Sequence, residues 1–97
     1  MKVVRKFRMR NEYNYIRVPP GAEFLSVAWD GTDFQLFVLT DVNQTMIEER
    51  MVCIFETGDT IGDRGLEYFC SLCFQHEGVN HECHCFEKLP PELAEGL

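Results

Sequence analysis

Helical periodicity is scarce in this chain, and that scarcity limits its fold more than any single motif does. Alternating, β-branched and aromatic runs recur instead, each cut by turn residues. Lys2 to Met9 places Val3, Phe7 and Met9 on one face and Lys2, Lys6 and Arg8 on the other, the pattern of a half-buried strand. Tyr13 to Val18 reads as a second strand. Pro19-Pro20-Gly21 stops it, because proline neither continues a helix nor donates to a central ladder. Glu23 to Trp29 forms a third, and Asp30-Gly31 between two apolar runs signals a hairpin. The return strand, Phe34 to Thr40, is apolar nearly throughout and is expected to be central and covered on both faces. Met46 to Phe55 makes a fifth strand, and Glu56 to Gly65 is a long connection holding three glycines. Leu66 to Gln75 and His81 to Phe86 flank His76 to Asn80 as a final hairpin.

The expected fold is therefore mainly β: about seven short, mostly antiparallel strands in a small sandwich or partly open barrel, with little or no helix. Residues 1–88 form a single β domain, and residues 89–97 a C-terminal tail whose last part, Pro90 to Leu97, reads as a short helical turn or a loose tail. A chain of 97 residues holds one core, and domains of that size gain from a ligand or a second copy, so a homodimer stays open. No stretch approaches the roughly 20 apolar residues that span a bilayer. The basic start, Met1 to Lys6, lacks the apolar run of a signal peptide. No membrane partner is expected, and the cytosol is the expected location.

Charge is unevenly spread. Residues 1–17 hold Lys2, Arg5, Lys6, Arg8, Arg10 and Arg17 against Glu12 alone, whereas the rest of the chain carries three basic and fifteen acidic residues. An acidic chain is repelled by nucleic acid unless its basic strip stands apart, so direct nucleic-acid binding is not expected. Lys6, Arg8 and Arg10 are the binding candidates in that strip; the plainer reading is a solvated strand face paired with acidic neighbours. Trp29 is either a cap on the core or an exposed anchor for a partner. Arg64, in the glycine-rich connection, is either a loop charge or a two-pronged clamp for phosphate or carboxylate.

The five cysteines, Cys53, Cys70, Cys73, Cys83 and Cys85, are odd in number and lack a secretion signal, so reduced thiols are expected. Cys70 and Cys73 with His81 and Cys83, or with Cys83 and Cys85, would meet the ligand count of a zinc site. Strand geometry opposes this, since residues three apart face opposite sides; the plainer reading is a set of small buried hydrophobes and no cofactor. There is no nucleophile elbow, phosphate loop or dinucleotide fingerprint. Glu48 and Glu49 alternate across a strand and should not face one substrate together, and Gly58 to Asp63 lacks the calcium-loop pattern. Enzymatic activity is not expected.

Lys2-Val3-Val4-x-Lys6-Phe7, then Pro19-Pro20-Gly21-Ala22-x-Phe24-Leu25-Ser26-Val27, Glu48-Glu49-Arg50, Ile54-Phe55-x-Thr57-Gly58 and His84-x-Phe86-Glu87 occur in this order. Together, over about residues 1–88, they resemble a family of short bacteriophage and prophage proteins with no assigned activity. The resemblance implies a small accessory protein made in an infected bacterium. Cysteine richness is not a feature of that family, so a metal site would be a local departure. Three functions are then in play. The first is a non-enzymatic binding protein that inhibits a host protein such as a defence-system component, with the acidic residues 18–97 standing in for phosphates. The second is a sponge for a small nucleotide-like signal, and the third a zinc-stabilised structural or virion module.

Overall fold

The computed structural model describes residues 1–90, and the tail reading from Pro91 onward lies outside the described residues. Seven strands follow in chain order: β1 (Lys2–Met9), β2 (Tyr13–Val18), β3 (Glu23–Trp29), β4 (Phe34–Asp41), β5 (Glu48–Glu56), β6 (Leu66–His76) and β7 (Val79–Lys88). All pairings are antiparallel, in two sheets: three strands ordered β1-β4-β3, and four ordered β2-β5-β7-β6. The sheets face each other as an open two-layer sandwich, with β3 lying against β6. Of the two architectures the pattern allows, the sandwich is the one formed.

Alternation builds the core. Met9 from β1, Leu36 and Val38 from β4, and Phe24 and Val27 from β3 meet Ile16 and Val18 of β2, Val52 and Ile54 of β5, and Cys83 and Cys85 of β7. Opposite parities on β5, Cys53 and Phe55, are also buried, but on the outer face of the four-stranded sheet. There Tyr13 packs edge-on against Phe55 at 5.8 Å. The Tyr13 hydroxyl donates to Asp63 at 2.8 Å and Lys88 pairs with the same carboxylate at 3.1 Å, so the 57–65 connection laps across that face.

The reading of β4 needs one correction. It is central, between β1 and β3, but not covered on both faces. Leu36 and Val38 are fully buried inward, while Phe37 and Leu39 are only partly buried on the outer face beside exposed Val4. Among the described residues no strand packs on this side. The final hairpin is also tighter than its sequence suggests. His76 pairs directly with Val79, leaving only Glu77 and Gly78 in the turn. Both have positive φ, 51° and 78°, the mirror-image turn that matches strand twist.

Candidate functional site

A charged pair sits where apolar side chains are expected. On β5 the inward parity runs Arg50, Val52, Ile54; on β7 it runs Cys83, Cys85, Glu87. Adjacent strands bring Arg50 and Glu87 together at one end of the sandwich. Arg50 donates from Nε to Glu87 Oε2 at 2.5 Å and from Nη2 to Oε1 at 2.6 Å, a two-pronged pair. Its remaining prong, Nη1, donates to the carbonyl of Ala22 at 2.5 Å, and its guanidinium stands 4.1 Å from the centre of the Phe24 ring. Bonding to Glu87 raises the Arg50 pKa, so the guanidinium stays charged despite partial burial.

This pair is the shared wall of two hollows. One, of about 710 Å³, has an apolar side of Tyr15, Met51, Leu89 and Pro90 and an acidic rim of Glu48 and Glu49. The other, of about 490 Å³, is bordered by Glu23, Glu67, Phe24 and Phe69. Arg50 and Lys88 are the cations here, and both are engaged, with Glu87 and Asp63 respectively. Glu23, Glu48, Glu49 and Glu67 have no cationic partner within 4 Å among the described residues. The result is a groove with a fixed floor, an apolar wall and an acidic rim without close ion pairs, although Arg17 stands opposite Glu49 across the ladder and Arg50 feels Glu48 and Glu67. It also corrects the expectation for Glu48 and Glu49: at the very start of β5 both border the same groove, because the hollow wraps around the strand end.

The residues singled out from sequence fall elsewhere. Lys6, Arg8 and Arg10 lie along β1 and its exit, and Arg8 and Arg10 converge on Asp33, at 3.5 and 3.7 Å. This is the pairing with acidic neighbours that the plainer reading foresees. The loop holding Asp33 is tied together by hydrogen bonds: the Asp30 carboxylate accepts from the amides of Asp33 and Thr32 and from Gln35, which brings its pKa down to about 2. Trp29 is partly buried at the opposite end from the groove, stacked on Phe74 at 4.7 Å, with Phe34 and His76 edge-on. It caps the core. Arg64 is exposed on the connection over the outer face of the other sheet, with no ion pair among the described residues. Lys6, Arg8, Arg10, Trp29 and Arg64 therefore do not form one site.

The proposed zinc ligands are divided between faces as well. Cys70 pairs across the ladder with inward, buried Cys85, and Cys83 is buried on the same side, whereas Cys73 is exposed on the outer face. His81 stacks on Phe74 and bonds Glu56 at 2.9 Å. Cys70, Cys73, His81 and Cys83 are thus not brought around one point, and no group of three or more metal-ligating side chains occurs among the described residues. Burial pushes the Cys53 and Cys83 thiols up to about 11, which suits packed hydrophobes better than ligands. One further polar network was not foreseen. His84 sits between Ser71 Oγ at 2.9 Å and Thr57 Oγ1 at 2.7 Å, and the Tyr68 hydroxyl is 2.9 Å from Ser71, on the outer face.

A family model described as a domain of unknown function, DUF7352, matches residues 1–95. The chain belongs to this family. No curated protein and no solved structure matches it. The match spans every strand of the sandwich, so the DUF7352 unit includes the whole β1–β7 architecture together with the groove residues Glu48 to Met51 and Glu87 to Pro90. Arg50 and Glu87 carry a signal that alternation could have found: opposite charges on inward parities of two β runs. Their pairing, however, depends on β5 lying next to β7, which no local pattern encodes.

Proposed function

We propose that this DUF7352 chain is a phage- or prophage-encoded binding protein, not an enzyme, that acts in the host cytosol by occupying a basic surface of a host protein, such as a component of a defence system. The observation that carries this reading is the groove: carboxylates of Glu23, Glu48, Glu49 and Glu67 with no cation within 4 Å among the described residues, around an apolar wall and a floor held by Arg50 and Glu87. A fixed array of carboxylates attracts a lysine- or arginine-rich segment at long range, and the Tyr15 and Met51 wall then accepts its aliphatic stems. The phage origin and the host target rest on the motif resemblance from Lys2 to Glu87.

The two other readings find less support in the geometry. Lys6, Arg8, Arg10 and Arg64 line none of the three cavities described, and the groove repels the phosphates of a nucleotide-like signal. The zinc-stabilised module would need Cys73 on the inward face.

The deciding comparison is affinity capture from host lysate by the native chain and by Glu48→Lys/Glu49→Lys, followed by reconstitution with the purified captured protein. A protein held by the native chain, lost with the charge-reversed chain and released by moderate salt supports the reading. Capture that ignores both the reversal and salt would count against the groove.

A further inference from the structure

β1 is a free sheet edge of unusual regularity for this molecule. Its register with β4 runs unbroken from Lys2 to Met9, and among the described residues the main chain of those eight residues has no backbone partner beyond β4. The other edges are interrupted. β3 breaks register between Phe24 and Ser26 and lies against β6; β6 shifts between Tyr68 and Cys70; β2 has six residues and runs into Pro19-Pro20. Bulges, prolines and covering elements close sheet edges to new strands, and β1 has none of them; its one guard is its charged side chains, Lys2, Arg5, Lys6 and Arg8, which turn away strands of like charge.

Its side chains say which strand it would take. On the outer face Lys2, Lys6 and Arg8 stand in one row with exposed Val4 between the lysines; Arg8 pairs with Asp33, and Lys2 and Lys6 have no carboxylate within 4 Å among the described residues. On the inner face Val3 and Phe7 are only partly buried, with exposed Arg5 between them. Residues directly opposite across a ladder share a face. A second copy of β1 laid alongside would set this basic row against itself, which like charges oppose.

We propose that β1 is a docking edge for an extended segment of a partner protein in which carboxylate and apolar residues alternate. The segment adds as a fourth strand to the three-stranded sheet. Its carboxylates face Lys2, Lys6 and Arg8, its apolar residues cover Val3 and Phe7, and its main chain takes up the unpaired groups of the edge. The inference uses no residue of the acidic groove, so the two surfaces can be tested apart.

The test is fluorescence anisotropy with a labelled nine-residue peptide of alternating Glu and Val, against the same peptide with Lys for Glu, using the full chain at low salt. The acidic peptide should bind saturably and the lysine peptide should not. Lys2→Glu/Lys6→Glu should weaken the acidic peptide by about tenfold or more and gain the lysine peptide, since the swap reverses the complementarity. Neither lysine makes an ion pair among the described residues, so circular dichroism and melting of the variant should match the native chain. Hydrogen exchange should show new protection in residues 2–9 and not in β2 or β6. The proposal is overturned if the folded chain shows no saturable binding at millimolar peptide, if the charge swap leaves the preference unchanged, if protection appears on another edge, or if sedimentation shows β1 occupied by a second copy.

Discussion

Arg50 occupies a position where a strand of this kind calls for an aliphatic side chain, and its cost is offset only by three simultaneous contacts. Removing one partner strands the other, so Arg50→Ala should destabilise the fold by about 3 kcal/mol, read from chemical denaturation. Arg50→Lys should recover only part of this, because an ammonium cannot reproduce the two-pronged geometry. Replacing both partners with aliphatic residues, as in Arg50→Met/Glu87→Leu, should come closer to the native chain than Arg50→Ala does; equal losses would show that the pair itself adds the stability. Tyr13 gives the pH test. Its hydroxyl donates to the Asp63 carboxylate, which pushes its pKa up to about 12 from an ordinary value of about 10. The folded chain favours the neutral phenol, so this contribution is fully present below pH 10 and is lost as the pH rises through 12. Tyr13→Phe should abolish that alkaline loss in a pH series of melting curves; a native-like slope in the variant would assign it to another group.

At the level of elements, the hairpin of β6 and β7 shows how local chemistry sets register. Glu77 adopts a positive φ of 51° without the side chain that tolerates it best. Glu77→Asn should therefore stabilise the hairpin by about 0.5 kcal/mol, and Gly78→Ala should cost about 1 kcal/mol, both read from thermal unfolding. No atom lies within 4 Å of a Cβ built at Gly78, so the second cost is conformational and not steric. All seven strands were legible because alternation and turn residues act over a few residues. The five-residue loop foreseen at His76 to Asn80 was not, since its outer members join the strands only when the partner ladder is present.

The molecule is a thin slab, with extents of 42 × 32 × 16 Å; the 57–65 connection laps over the outer face of the four-stranded sheet, while the outer face of the three-stranded sheet stays open among the described residues. β4 exposes this directly. Leu36→Ala should cost about 3 kcal/mol because the site is fully buried between layers. Leu39→Thr, on the open face of the same strand, should cost less than about 1 kcal/mol. Similar losses at both would mean that a further layer, such as a second copy, covers the sheet in solution. Alternation, proline stops and the odd count of thiols belong to neighbouring residues, so the strands, their faces and the split of Cys70 from Cys73 could be read from the chain alone. The order of strands within the sheets, the meeting of Arg50 with Glu87, the shared groove of Glu48 and Glu49 and the scatter of Lys6, Trp29 and Arg64 depend on contacts between residues tens of positions apart. Those were decided by burying two sheet faces against each other, a requirement on the assembled chain and not on any one of its segments.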